Sequence, residues 1–175
     1  MGIEALEPTL NIYTDPLIYR VINTLYHNKN LDGFIMAGKL LFKELNLGSG
    51  GGWHRDSVGQ EQFKALVYLT DVDLQHGPFQ YFIKTSKITS MKAAEKYFDI
   101  GKKQNRLSDE QIALYPKNRL RTFCAERGTL IIANTRAIHR GMPISSGVRY
   151  ALTTYSWASD IPKHILPFVN QIDKT

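Results

Sequence analysis

The strongest constraint on the fold of this chain is the spacing of its β-forming runs. "FKALVYLTDV" (63–72), "FQYFIK" (79–84), "GTLIIANTRAIHRG" (128–141) and "GVRYALTTYSW" (147–157) are rich in β-branched and aromatic residues, with turn-forming Gly, Asp, Pro and Ser between them. An earlier run, "GKLLFKELNL" (38–47), reads the same way. Helical segments do not alternate with these runs, as the crossovers of a parallel doubly wound sheet require, and no internal repeat is present. Short antiparallel strands of this kind each bury one face against a second sheet. The expected class is mainly β, a jelly roll with helical additions.

Two segments read as helix. In "DPLIYRVINTLY" (15–26) Asp15 is placed to cap the N-terminus, Pro16 takes the first helical position, and Leu17, Val21 and Leu25 recur at helical spacing. From Thr89 to Arg121 the residues Ala, Glu, Lys and Met favour helix, Gly101 marks a stop, and "SDEQ" from Ser108 has the form of a capping box. This insertion, around 89–121, carries eight Lys or Arg against four Asp or Glu, without aromatic interleaving for base stacking. It reads as a solvated helical addition.

A chain of 175 residues suits a single domain, 1–175, with core strands over about 38–157. Hydrophobic residues at 43% and charged residues at 22% supply an ordinary globular core and exclude disorder and collagen. One cysteine, Cys124, allows no internal disulfide and reads as a small buried thiol. Neither a secretory leader nor an apolar run of spanning length is found, so the expectation is a cytoplasmic protein with no membrane partner. The formal net charge of +6 suits an anionic partner, but the basic residues are interspersed with acids and form no recognised nucleic-acid module. No nucleic-acid partner is expected.

Chemistry concentrates in "GSGGGWHRDS" (48–57). His54 and Asp56 are separated by one residue, so on extended chain both side chains project from one face, about 7 Å apart at the Cα level. An imidazole nitrogen and a carboxylate oxygen from one strand, completed by a second histidine, make the two-His-one-carboxylate arrangement of non-haem Fe(II), with open positions left on the metal. His139 is the expected second histidine. Taken alone, "HRD" also fits a His–Asp pair hydrogen-bonded on a loop, which is the commoner arrangement. Support comes from "HRGMPISSGVR", in which His139 and Arg149 flank a Pro/Gly/Ser turn and fall on adjacent strands. A bidentate 2-oxo acid in the open positions needs a fixed fork of donors for its far carboxylate, which guanidinium supplies better than ammonium. Alternation sets Arg149, Ala151, Thr153, Tyr155 and Trp157 on one face, where small residues leave room for a ligand. The alternative for Arg149 is a surface arginine at a hairpin mouth. The glycines before His54 read as a compact hinge that lets backbone pack beside the site, and a merely flexible loop would have the same composition.

"WHRD", "FKALVYLTDVDLQHGPFQY" and "RGTLIIANTRAIHRGMPISSGVRYALTTY" together resemble the phytanoyl-CoA dioxygenase family of Fe(II)/2-oxoglutarate oxygenases, over roughly residues 38–157. The resemblance implies a double-stranded β-helix, cupin-like core. It implies catalytic iron held by His54, Asp56 and His139, 2-oxoglutarate anchored by Arg149, and O2 as the second cosubstrate. It also sets Tyr68 of "ALVYLTD" against the cosubstrate, whereas Lys43 aligns too loosely to be given such a part. The implied activity is hydroxylation of a C–H bond in a small-molecule substrate, with release of succinate and CO2. Because Asp56 is present, no ligand position is left vacant for chloride, so halogenation is not expected.

The chain departs from the family pattern at three places. Gly141 stands where Ser or Thr often follows the distal histidine and helps hold the far carboxylate; "KTSK" (84–87) replaces a Gly-Ser-His-Lys turn; and only about 37 residues precede the first core strand. A non-enzymatic jelly-roll binding module, or an inactive relative that keeps a metal site, is the alternative reading, since fold alone does not set function. His27, His76 and His164 are read as non-ligands. Trp53, Arg55 and Arg140 adjoin the ligands on the opposite face and are read as structural.

Overall fold

The computed structural model describes residues 15–26, 32–56, 61–97, 100–101, 104–157, 162–163 and 165. Its elements follow the chain as α1 (Pro16–Tyr26), β1 (Asp32–Leu41), β2 (Gln62–Tyr68), β3 (Phe79–Phe82), α2 (Ile88–Tyr97), α3 (Asp109–Ala113), β4 (Leu120–Phe123), β5 (Leu130–Asn134), β6 (His139–Gly141) and β7 (Val148–Trp157). Antiparallel pairing gathers the strands into two sheets, in the orders β1-β7-β2-β5 and β4-β3-β6. The segment Trp53–Asp56 extends the smaller sheet. His54 N–H donates to the His139 carbonyl at 3.0 Å, His139 N–H returns to the His54 carbonyl at 2.9 Å, and Asp56 N–H donates to Thr135 at 3.0 Å. Two facing antiparallel sheets with non-consecutive neighbours are the jelly roll that the spacing of the runs predicts.

Alternation along the larger sheet sends one face outward beneath α1 and the other into the space between the sheets. On the outer face Phe63 and Ala65 of β2 pack with Ile18 and Ile22 of α1, and Ile132 lies against them. Asp15 caps α1 as expected, its Oδ1 accepting the N–H of Leu17 at 2.8 Å and of Ile18 at 3.1 Å. The helix is rotated by one residue from the Leu17 register: Ile18 and Ile22 are buried and Leu17 is 64% exposed. On the inner face Met36, Gly38 and Leu40 of β1, Lys64 and Leu66 of β2, and Arg149, Ala151, Thr153 and Tyr155 of β7 line a cavity of about 310 Å³. The arginine-bearing face of β7 is thus the face that borders open space, as the small residues on it predict.

Strand boundaries differ from the sequence reading where side chains offer the backbone another partner. β1 begins at Asp32 and stops at Leu41, so "FKELNL" is turn. There Asn46 Nδ2 donates to the Lys43 carbonyl at 2.6 Å while its Oδ1 accepts Gly48 N–H at 3.1 Å, a local bonding pattern that competes with a sheet ladder. β2 ends at Tyr68, short of Val72, which pairs separately with Ala125. The run 128–141 divides into β5 and β6 because Asn134 folds back, its Oδ1 accepting Arg136 N–H at 3.1 Å and its carbonyl accepting Ala137 N–H at 3.2 Å.

The insertion carries the predicted capping box, Ser108 Oγ accepting Gln111 N–H at 3.2 Å and Gln111 Oε1 accepting Ser108 N–H at 3.0 Å. It is not merely a solvated addition. Ile100, Leu107 and Tyr115 join Trp53, Phe82 and Ile138 in one core cluster. Leu107 N–H donates to the Trp53 carbonyl at 3.0 Å and Arg55 N–H to the Asn105 carbonyl at 2.7 Å. The insertion therefore backs the His54–Asp56 segment from the side opposite β6. Three apolar residues dispersed through a charge-rich stretch show no single period, which is why the sequence pattern conceals this. Cys124 is exposed rather than buried. Among the described residues no helix is long and apolar enough to cross a membrane.

Candidate metal centre

His54, Asp56 and His139 come together in the cavity wall, with one ligand atom from each lying within 4.8 Å of the others. His54 Nε2 is 3.5 Å from Asp56 Oδ1, and His139 Nε2 is 3.5 Å from Asp56 Oδ2. Each imidazole directs its Nδ1 to a backbone carbonyl, His54 to Gly52 at 2.8 Å and His139 to Ala137 at 2.9 Å. A carbonyl only accepts, so in the neutral rings Nδ1 carries the proton and Nε2 presents a lone pair. Burial, together with the nearby Lys64 charge, pushes His139 down to about 3, so this ring is neutral at ordinary pH. Its Nε2 is buried without a hydrogen-bond partner.

Burial opposes ionisation of Asp56 but is outweighed by the His54 imidazole beside it and by the Lys64 charge, and the carboxyl is held far below the usual carboxylate range. Two imidazole lone pairs and a carboxylate thus converge with their own protons directed elsewhere. Such a set repels itself unless a cation sits among its members. Two nitrogens and one carboxylate, each imidazole oriented by a carbonyl behind it, fit a divalent first-row metal such as Fe(II).

Lys64 partly supplies that positive charge. Its Nζ is 2.7 Å from Asp56 Oδ2 and 4.7 Å from the Tyr155 ring centre, and β2 sets it directly opposite Tyr155 on β7. Sequence reasoning passed over Lys64, although a signal was present. It is the one charged residue of "QFKALVY" and falls in alternation with Leu66 and Tyr68, on the face that turns inward.

The glycine run is a fastened loop, not a hinge. Gly48, Gly50, Gly51 and Gly52 all adopt positive φ, from 69° to 91°. A Cβ on Gly48 would lie 2.0 Å from the Gly141 carbonyl oxygen, and one on Gly50 would lie 2.1 Å from His54 Cε1. Gly141 N–H donates to the Ser49 carbonyl at 3.0 Å, and Arg106 from the insertion clamps the Gly50 and Gly51 carbonyls at 2.6 and 2.9 Å. The loop lies flush against β6 and the His54 ring because no side chain intervenes.

Arg149 also lines the cavity. It is 4% exposed, and its Nε and Nη1 are buried without hydrogen-bond partners. Burial lowers its pKa from the ordinary value, against the opposing influence of the nearby Tyr68. Tyr68 itself stands behind the cavity wall. Its hydroxyl donates to the Phe123 carbonyl at 3.0 Å and accepts Phe79 N–H at 2.9 Å, and burial raises its pKa. The end of β2 sinks into the cluster of Val72, Phe79 and Ile131, and that is why Tyr68 does not reach the cavity lining as the resemblance implies; it neighbours Arg149 instead.

The remaining positions fall mostly as expected. Trp53 is in the core, with the Arg140 guanidinium 4.3 Å from its ring centre and Arg140 Nε on Gln80 Oε1 at 2.8 Å. The Arg55 guanidinium turns to the Gln104 carbonyl, although the residue borders the cavity. Lys43 is exposed, and His76 pairs with Asp73 in a turn. His27 and His164 lie outside the described residues. In "KTSK" Thr85 Oγ1 donates to the Phe82 carbonyl at 2.7 Å and accepts Ile138 N–H at 3.0 Å, which steadies the approach to His139. Among the described residues that line the cavity, four are basic, Arg55, Lys64, Arg106 and Arg149, and one is an acid, Asp56, a balance that suits an anionic occupant.

No protein-family model and no curated protein matches the chain in sequence. Solved structures do match it in fold. EvdO2 from Micromonospora carbonacea var. aurantiaca, complexed with 2-oxoglutarate, superposes with a TM-score of 0.61 at 10% identity, over 88% of this chain and 64% of its own. HygX from Streptomyces hygroscopicus with iron bound gives 0.58 at 13% identity, over 89% and 70%. SnoN, a non-heme alpha ketoglutarate dependent epimerase from nogalamycin biosynthesis, gives 0.57 at 14% identity, over 86% and 56%. The chain therefore spans between 56% and 70% of the length of these structures. At such identities the likeness is one of fold: the chain has the jelly-roll, double-stranded β-helix fold found in Fe(II)/2-oxoglutarate oxygenase structures.

Proposed function

We propose that this chain is an Fe(II)- and 2-oxoglutarate-dependent dioxygenase of the phytanoyl-CoA dioxygenase type, hydroxylating a C–H bond of a small-molecule substrate. One observation carries the reading. Two imidazole Nε2 atoms, their rings oriented by Nδ1 contacts to backbone carbonyls, and the Asp56 carboxylate converge in the wall of a cavity that also holds the Arg149 guanidinium with unpartnered donors. A metal alone would not call for the arginine, and an anion alone would not call for the triad. The coincidence of both around one space suits a chelating 2-oxo acid with a second carboxylate.

In this reading His54, His139 and Asp56 hold Fe(II). Bound there with 2-oxoglutarate and O2, the metal would supply the oxidising chemistry, hydroxylation of the substrate coupled to conversion of 2-oxoglutarate to succinate and CO2. The protein's own part is positioning. The Gly52 and Ala137 carbonyls fix both imidazole tautomers, and Lys64 restrains Asp56 Oδ2. Arg149 receives the far carboxylate, with Tyr68 setting the guanidinium from behind. Apolar lining from Met36, Leu40, Leu66, Phe79 and Ile131 limits water around the reacting atoms. At about 310 Å³ the cavity is at the lower end of small-molecule sites, which run from about 300 to 1,000 Å³. The expected partner is a small molecule, not nucleic acid or membrane, and a cytoplasmic setting suits the single exposed thiol.

The test is anaerobic addition of Fe(II) and then 2-oxoglutarate, followed by visible spectroscopy. A weak metal-to-ligand charge-transfer band is expected, absent in His139→Ala, and admission of O2 releases succinate. Lack of any band in the wild-type chain would refute the reading. A band without succinate release across substrate pools would leave a metal-binding relative that does not turn over.

A further inference from the structure

We propose that the Ser49 hydroxyl is a second donor, beside Arg149, to the far carboxylate of the 2-oxo acid, standing where β6 presents no side chain. The inference rests on the reading of the cavity as a 2-oxo acid site. Gly141 follows His139 by two residues on β6, so its side-chain direction is that of His139, into the cavity. A Cβ at Gly141 would meet Ser49 Cβ at 2.6 Å and Arg149 Nη2 at 3.1 Å. Ser49 thus fills the space beside the guanidinium that β6 leaves bare, and both residues line the cavity. A Ser or Thr at 141 is excluded by Ser49 itself, which offers the same hydroxyl from the opposite strand of chain.

The position of Ser49 is held from three sides. Its carbonyl accepts Gly141 N–H at 3.0 Å, Gly48 before it is pressed against the Gly141 carbonyl, and Arg106 clamps the carbonyls of Gly50 and Gly51 after it. A hydroxyl on a fixed backbone has one torsion to settle, so little side-chain entropy opposes its donation. A carboxylate has acceptor sites enough for a guanidinium fork and a hydroxyl at once. Ser49 is in this sense a specificity residue: it rewards a 2-oxo acid that carries a second carboxylate and is indifferent to one that does not.

The experiment is an anaerobic titration of the Fe(II)-loaded full chain, following the charge-transfer band, with 2-oxoglutarate and with pyruvate, which lacks the far carboxylate. Mn(II) affinity is measured alongside by calorimetry. Ser49→Ala is expected to raise the 2-oxoglutarate midpoint about tenfold, the effect of one hydrogen bond to a charged group, and to leave the pyruvate midpoint and Mn(II) affinity unchanged. The double variant Ser49→Gly with Gly141→Ser, which moves the hydroxyl from the loop to β6, is expected to recover most of the loss. A Ser49→Ala midpoint equal to wild type, or an equal loss for pyruvate, overturns the proposal while the site reading stands. A wild-type chain that gives no band overturns both.

Discussion

Alanine at Gly50, with alanine at Gly128 as the comparison, separates backbone strain from steric displacement in the loop that precedes the candidate metal ligands. Both glycines hold φ +85°. An alanine at either therefore bears the left-handed strain of an L residue, about 1–2 kcal/mol. At Gly128 nothing lies within 4 Å of the new methyl, so strain is the whole effect. At Gly50 the methyl would stand 2.1 Å from His54 Cε1 and 2.8 and 2.9 Å from the ring nitrogens, so the ring must turn away. His54 is 8% exposed and its Nδ1 holds the Gly52 carbonyl at 2.8 Å. Turning it gives up about 1 kcal/mol of hydrogen bonding and forces about 1–3 kcal/mol of overpacking. Gly50→Ala should therefore lose about 3–6 kcal/mol of stability against about 1–2 kcal/mol for Gly128→Ala. The assay is urea unfolding in chelator, followed by Mn(II) titration of each folded variant. Because the displaced ring carries the Nε2 that faces Asp56, Gly50→Ala also lowers Mn(II) affinity, by about 10–100-fold, and Gly128→Ala leaves it intact. Equal destabilisation of the two variants, or wild-type metal affinity in Gly50→Ala, would refute the packing of His54 on this loop.

Lys64→Met removes an ammonium 2.7 Å from Asp56 Oδ2 with both side chains largely buried, and should destabilise the metal-free chain by about 3–5 kcal/mol. Saturating Mn(II) neutralises the same carboxylate, so the deficit shrinks when unfolding is repeated with metal; an equal deficit in both conditions counts against a shared site. Acid sensitivity of the metal-free chain should run through His139. Its folded pKa is lowered to about 3 while the unfolded ring titrates near its ordinary value, so between these limits the unfolded state binds more protons and stability falls as pH falls. Asp56, depressed in the fold, adds a loss in the same direction below the usual carboxylate range. Urea midpoints of His139→Gln in chelator should have a shallower slope across that window, by up to about 1.4 kcal/mol per pH unit, and a slope equal to wild type would remove His139 as the cause.

The two-sheet fold and the triad were legible because each depends on a local rule. Strand runs of alternating character carry their own inward face, and the spacing of His54 and Asp56 puts both on one side of an extended chain. Arg149 was legible for the same reason, since alternation on β7 groups it with the small residues that border the cavity. What was not legible depended on partners distant in sequence. Tyr68 has the right parity for the inward face of β2, yet the strand end enters the Phe79 cluster and its hydroxyl is taken by the Phe123 carbonyl and the Phe79 amide. The support given by Ile100, Leu107 and Tyr115 is invisible until the insertion folds back on Trp53.

The glycine run shows where composition misleads most. A hinge and a fastened loop require the same residues, and the difference lies in what occupies the positions of the absent Cβ atoms. At Gly48 that neighbour is the Gly141 carbonyl, at Gly141 it is Ser49, and at Gly50 it is the His54 ring. The loop can lie on β6 because Gly48 leaves room for the Gly141 carbonyl and Gly141 leaves room for the Ser49 side chain. The departure at Gly141, which read as a missing cofactor hydrogen bond, follows from that contact. With Ser49 in place, a β6 side chain there would lift the loop, and with it the Gly50 backbone that seats His54 and the Gly52 carbonyl that fixes its tautomer. The candidate metal centre and the bare position on β6 are consequently one structural arrangement, and the glycines are its rigid part.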